Sequence, residues 1–175
     1  SQYLEVEDLN KDGLPEIFIL GATYPIAGNT NSAPQQSSFF LGSGLASYSA
    51  TQNNFVPSTT HPRNVFYADF NNDGKEDVFI IDHGWDTSPF PGALSQLILS
   101  SGATWTNASA KLPQVIGFTH CAAVGDINGD GNQDIFMGAM PTSGSGTKPF
   151  ISFGDGLGNF VLSNAVLPVE IQNAS

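Results

Sequence analysis

Residues 69–80 read Asp69-Phe-Asn-Asn-Asp-Gly-Lys-Glu-Asp77-Val-Phe-Ile. The same pattern of acidic residues, Asn and Gly, followed by an apolar run, begins again at Asp8 and at Asp126. The first aspartates of the three copies lie 61 and then 57 residues apart. Recurrence at a nearly fixed spacing indicates a chain built from repeated supersecondary units.

Each unit predicts four short strands, here called A, B, C and D. An apolar stretch precedes the acidic loop, two apolar runs follow it, and an aromatic residue after a Gly-containing turn (Tyr48, Trp105 or Phe160) marks the fourth. Short runs of β-branched and aromatic residues bounded by Gly, Asn, Asp and Pro favour strands, and no stretch has sustained helical periodicity. We therefore expect an all-β fold of three four-stranded antiparallel β-propeller blades, with a calcium loop between strands A and B of each.

The repeats divide the chain into blades at residues 1–60, 61–116 and 117–175. Closed propellers have about 4–8 blades, so three blades predict a partial propeller. We expect the segment to be part of a larger ring, or to close by association with a protein partner or with another copy of itself. A solenoid-like stack of blades is the alternative.

The composition excludes several classes of protein. The chain has 16 acidic residues against 5 basic ones, and a net charge of −11 argues against binding nucleic acid or an anionic membrane. With 40% apolar and 12% charged residues the chain is not a disordered acidic segment, and its apolar runs are too short for membrane insertion. Cys121 is the single cysteine, which excludes an intrachain disulfide, and we expect a buried structural thiol in strand A.

The acidic loops have the spacing of a cation site. Side-chain oxygens stand at loop positions 1, 3, 5 and 9, Gly at position 6 permits a sharp turn, and the carbonyl of position 7 adds another oxygen. Several anionic oxygen ligands suit Ca²⁺, so we expect about three structural calcium ions. The predicted ligands are Asp8, Asn10, Asp12, Leu14, Glu16, Asp69, Asn71, Asp73, Lys75, Asp77, Asp126, Asn128, Asp130, Asn132 and Asp134.

Two other interpretations of the loops are less favoured. An EF-hand needs a carboxylate at position 12, where this chain has Ile19, Ile80 and Met137. An Asx-rich turn would explain one loop, but the ligand positions of the three loops hold nine of the 16 acidic residues, and such clusters repel in the absence of cations. Glu16 replaces Asp at position 9, so the first site is expected to be the weakest.

The repeated loop and the strand after it resemble the FG-GAP and VCBS repeats, which form propeller blades in the integrin α-chain and in many secreted bacterial proteins. The run Phe153-Gly-Asp-Gly-Leu-Gly-Asn-Phe160 is similar to the turn between strands C and D in VCBS repeats. The resemblance implies that calcium braces each blade, that recognition takes place on the opposite face, and that the protein is extracellular or at the cell surface.

The long loops of that opposite face are predicted at residues 21–36, 82–96 and 138–148, and the second is the richest in functional groups. The candidate ligand-binding residues are His61, Arg63, Asp82, His83, Trp85, Asp86, Phe90 and His120. The simpler interpretation is that the aromatic side chains pack the loop against its blade while Asp82 and His83 cap turns. The histidines occupy non-equivalent repeat positions, which disfavours a histidine metal site.

The sequence favours a calcium-braced extracellular propeller segment that serves adhesion or structural assembly through protein contacts. One alternative is a carbohydrate-binding module that uses the 82–96 loop. The other is a polysaccharide-active enzyme with Asp82 and Asp86 as a carboxylate pair. The sequence has no nucleophile elbow, phosphate loop or His-Glu-x-x-His motif, so a binding role is favoured over an enzymatic one and the question of an enzyme stays open.

Overall fold

The structure, a computed structural model, describes residues 3–25, 32–44, 47–50, 55–101, 104–141 and 143–172. The first sheet contains β1 (Tyr3–Glu7), β2 (Glu16–Leu20), β3 (Ser38–Gly42) and β4 (Tyr48–Ala50). The second contains β5 (Pro62–Ala68), β6 (Asp77–Asp82), β7 (Gln96–Ser100) and β8 (Trp105–Asn107). The third contains β9 (Thr119–Gly125), β10 (Asp134–Ala139), β11 (Phe150–Gly154) and β12 (Phe160–Leu162).

Each sheet is an antiparallel meander in which strands pair in chain order. The helical elements with described bounds are short, a 3-10 turn at Ser109–Lys111 and α1 at Val169–Gln172. The predicted all-β fold of three four-stranded antiparallel sheets is confirmed, as the blades of a partial propeller. Among the residues that the structure describes, no helix is long and apolar enough to cross a membrane.

The second sheet lies between the other two and is buried on both faces. All six residues of β6 are buried. Val78 and Ile80 belong to an apolar cluster shared with the first sheet, and Phe79 and Ile81 belong to a cluster shared with the third. Because successive side chains of a strand point to opposite faces, a strand buried on both sides needs an uninterrupted apolar run, as β6 has.

The outer faces of the first and third sheets are apolar and partly open to solvent. On β1, Leu4 and Val6 are 59% and 50% exposed, and they pair across the strands with Ile19 and Ile17. On β9, Cys121 is exposed, so the prediction of a buried thiol is wrong. Its side chain points to the outer face because the alternate residues of β9, Ala122 and Val124, pack into the core between the second and third sheets.

The loops that join the strands lie at two opposite ends of the sheets. At one end, Lys11 forms an ion pair of 3.2 Å with Glu76 of the next acidic loop, and Asn72 donates a hydrogen bond of 2.9 Å to Asn132 of the loop after that. The long loops lie at the opposite end, where the Thr23 N–H donates to the Thr60 carbonyl at 2.6 Å. Residues 26–31 and 142 of the predicted long loops lie outside the described residues.

The packing between sheets predicts a large cost for removing a buried side chain. Leu97 of β7 is fully buried, so Leu97→Ala should lower the free energy of unfolding by about 2–5 kcal/mol. The matched control is Leu157→Ala, since Leu157 is 67% exposed and its loss should cost under about 0.5 kcal/mol. Chemical denaturation measures both variants, and equal effects would contradict this description of the core.

Candidate functional site

The three acidic loops share one hydrogen-bond pattern. In the second loop, Asp69 accepts the Asp73 N–H at 3.0 Å and the Gly74 N–H at 2.7 Å. Asn71 Oδ1 also accepts the Asp73 N–H, at 3.0 Å, and Asp73 accepts the Lys75 N–H at 2.9 Å. The corresponding bonds of the first and third loops measure 2.8–3.1 Å. The side chains at positions 1, 3 and 5 therefore turn inward around the same stretch of backbone in every copy.

Two left-handed residues wrap each loop. The glycines at position 6 have positive φ angles, at Gly13 (88°), Gly74 (81°) and Gly131 (87°). A Cβ at these glycines would meet no heavy atom within 4 Å, so the backbone conformation, and not lack of space, calls for glycine. Position 4 is left-handed as well, at Lys11, Asn72 and Gly129. The sequence signalled the turn at position 6 but not the one at position 4.

The carboxylates at position 9 are fully buried and tie the loop to strand C. Asp77 accepts the Phe70 N–H from its own loop at 2.9 Å and the Ser100 N–H from the end of β7 at 2.7 Å. Asp134 makes the equivalent bonds to Ile127 and Gly154, both at 2.9 Å. Burial raises the pKa of Asp77 to about 6, an effect opposed by these two N–H donors. Position 9 therefore holds two parts of the blade together.

Glu16 departs from this arrangement. Its Oε2 accepts the Leu9 N–H at 2.9 Å, as the aspartates do in their loops. Its Oε1 is buried without a hydrogen-bond partner among the described residues. Burial raises the pKa of Glu16. The Gly42 N–H at the end of β3 partly opposes this shift, so Glu16 keeps a link to strand C that is weaker than the bonds of Asp77 and Asp134.

The donor set of each loop fits Ca²⁺. The available groups are carboxylate and amide oxygens, which suit hard cations, and the position-5 carboxylates of Asp12, Asp73 and Asp130 are exposed. The carboxylates of a loop are not gathered within 4.8 Å of one another. The position-5 carboxylates are exposed and already turn toward the loop backbone, and the buried oxygens of position 9 keep a second lone pair each, so these oxygens remain available to an ion.

The other predicted set meets at the opposite end of the sheets. The ring centroids of His61 and His83 are 4.2 Å apart, and those of His83 and His120 are 5.5 Å apart. His61 directly precedes β5, His83 directly follows β6 and His120 lies near the start of β9. Their non-equivalent repeat positions do not keep the histidines apart, because neighbouring strand ends converge here.

Asp82 holds this region in place. It is buried, and its carboxylate accepts the N–H groups of Thr60 at 2.5 Å, His61 at 2.7 Å and Gly84 at 3.0 Å. The turn at Gly84 has a φ of 82°, which favours glycine. Asp82 thus caps turns, as the simpler interpretation predicted, and three backbone donors occupy it. This argues against pairing it with Asp86 as a catalytic acid and base.

Burial favours the neutral form of each histidine. It lowers the pKa of His83 to about 3, and repulsion by His61, when that ring is protonated, by Arg63, and by a protonated His120 acts in the same direction. Burial, followed by the charge of Arg63, also lowers the pKa values of His61 and His120. A neutral imidazole has one nitrogen with a free lone pair, so each ring retains a potential acceptor or metal-binding atom.

The remaining predicted residues are more accessible than His61 and His83. Trp85, Asp86 and Arg63 are half-buried. Phe90 is 36% exposed, and its ring lies 5.1 Å from that of Phe118. One ligand atom from each of His61, His83 and Asp86 lies within 4.8 Å of the others.

The sequence analysis missed two neighbours of the cluster. The Tyr24 ring lies 4.4 Å from that of His61, and the Phe118 ring lies 4.5 Å from that of His83. Phe118 occupies the repeat position next to that of His61, a signal that was available in the sequence. Tyr24 belongs to the first blade and had no comparable signal.

The bonds of Asp82 predict that it is structural. Asp82→Asn should lower the free energy of unfolding by at least about 2 kcal/mol, because an amide replaces a buried acceptor of three N–H groups. Glu7→Gln removes a carboxylate from an exposed position on β1 and should cost under about 0.5 kcal/mol. Denaturation curves that show the same stability for both variants would contradict the role given to Asp82.

Comparison with protein families gives a match over part of the chain. The family model of the FG-GAP-like repeat matches residues 8–80, from the first aspartate of the first loop into β6. No curated protein matches the chain. The matched segment contains two of the three acidic loops, and the third loop repeats their hydrogen-bond pattern. The match over residues 8–80 is consistent with the FG-GAP and VCBS type of repeat that the motifs predicted.

Proposed function

We propose that the chain is a calcium-braced β-propeller segment of an extracellular protein, and that it serves adhesion or structural assembly through protein contacts. The observation that carries the proposal is the identical hydrogen-bond geometry of three acidic loops at one end of the sheets. FG-GAP-like repeats are typically extracellular, where calcium is abundant enough to occupy weak sites.

Calcium would stabilise the blades through the loops. An ion held by positions 1, 3, 5 and 9 would neutralise clustered carboxylates and fix the connection between strands A and B. Position 9 would pass this constraint to strand C through bonds such as that between Asp77 and the Ser100 N–H. The contacts between neighbouring loops, Lys11 to Glu76 and Asn72 to Asn132, would extend the bracing across all three blades.

The open apolar faces support the assembly role. Within the structure, each face between two blades is buried by the apolar side chains of its neighbour. The outer face of the first sheet presents Leu4 and Val6, and that of the third presents Val161, which is 66% exposed. We infer that further blades of the same kind cover these faces, supplied by the same protein or by a second copy.

Calcium binding is tested by comparing two acidic residues of one loop. Asp73→Ala should lower the number of bound ions by one and reduce the calcium-dependent rise in melting temperature, because Asp73 is a predicted ligand. Glu76→Ala removes the same charge from position 8, outside the ligand pattern, and should leave the ion count unchanged. Native mass spectrometry in a calcium-containing volatile buffer counts the ions, with about three expected for the wild type. No bound calcium would overturn the proposal.

A second candidate function is carbohydrate binding at the end opposite the acidic loops. The observation that favours it is the pair of accessible aromatic side chains, Trp85 and Phe90, beside Asp86 and Arg63. Aromatic rings can stack on the apolar face of a sugar ring while neighbouring polar groups bind its hydroxyls.

The carbohydrate hypothesis predicts a loss of glycan binding on removing one ring. Trp85→Ala should weaken retention on a panel of immobilised polysaccharides by at least tenfold, with an unchanged circular dichroism spectrum. Tyr48→Ala removes an aromatic side chain that is 42% exposed on β4 of the first blade, and it should retain binding. If the wild type retains no glycan, this candidate function is wrong.

A further inference from the structure

We propose that His61, His83 and Asp86 form a binding site for a divalent transition-metal ion of the Zn²⁺ class. The site would lie at the end of the second blade opposite the acidic loops, and it is independent of the calcium sites proposed above. Within the described ranges, this is the single group of three or more His, Cys, Asp or Glu residues whose ligand atoms lie within 4.8 Å of one another.

The ligand atoms of His61, His83 and Asp86 would have to move only slightly closer together to bind one ion. Ligands about 2.1 Å from a tetrahedral metal lie about 3.4 Å from one another. His61 and His83 are fixed by their backbone: the His83 N–H donates to the His61 carbonyl at 3.2 Å, and Asp82 accepts the His61 N–H. Asp86 follows the turn at Gly84 and is half-buried, so its side chain can close the remaining distance.

The buried ring nitrogens supply an independent observation. His83 is fully buried, and neither of its ring nitrogens has a hydrogen-bond partner among the described residues. Nδ1 of His61, a residue that is 7% exposed, is buried and unpartnered as well. Buried polar atoms without partners are rare in folded proteins because their loss of hydration is not compensated. Coordination of a metal ion would compensate the lost hydration of one nitrogen in each ring.

The ligand types select the class of ion. Two neutral imidazoles and one carboxylate suit Zn²⁺ and neighbouring transition metals, whereas calcium takes oxygen ligands. Three protein ligands leave a fourth coordination position open.

The test is zinc binding by the whole chain with calcium present in excess, which occupies the acidic loops. Isothermal titration should show one Zn²⁺ per chain with micromolar or tighter affinity. Asp86→Asn and His61→Ala should each weaken it at least tenfold. Cys121→Ser is the matched control, because it removes an exposed thiol, itself a good zinc ligand, that lies outside the group of three, and it should change the affinity by less than about twofold. Co²⁺ bound in place of zinc should give the visible absorption of a four-coordinate site in the wild type and in Cys121→Ser.

Calcium stoichiometry serves as the folding control. Because Asp86 is half-buried and in a loop, Asp86→Asn should keep the wild-type calcium count while it loses zinc. The proposal is overturned if the wild type binds no zinc under these conditions. It is also overturned if Asp86→Asn and His61→Ala both bind zinc as the wild type does. A wild-type protein that binds zinc but no calcium would count against the proposed calcium function alone.

Discussion

The arrangement of each blade depends on a buried carboxylate at the start of its second strand. Asp77 and Asp134 accept one N–H from the acidic loop and another from the end of strand C, so a single side chain fixes three segments that are distant in sequence. A buried charge is stable only when it is hydrogen-bonded, and here backbone donors satisfy it. The open loop before it can then present its other carboxylates to solvent without losing its position on the sheet.

The same chemistry appears at the other end of β6. This strand begins at Asp77 and ends at Asp82, and both carboxylates are buried and bonded to backbone N–H groups. Between them lie four apolar residues packed against both neighbouring sheets. The central strand thus positions the acidic loop at one end and the histidine cluster at the other, and the two candidate sites share one rigid support.

The sequence predicted the strands well because their signals are local. Apolar runs bounded by Gly, Asn and Asp mark all three sheets, and the acidic spacing locates the turns between β1 and β2 and between their counterparts. The prediction of a buried Cys121 thiol was wrong because the composition of a strand does not show which face of an end blade is covered. The loop pattern placed His61, His83 and His120 on one face, but their close packing was not predictable from repeat positions, since it arises where strand ends of different blades meet. The left-handed conformation of Lys11 also had no sequence signal.

The length of β6 sets the electrostatic relation between the two ends of the molecule. Six residues in an extended strand place Asp77 and Asp82 about 17 Å apart. That is about twice the Debye length of about 8 Å at physiological ionic strength. Solvent-exposed charge in the acidic loops is therefore largely screened from the histidine cluster at the other end.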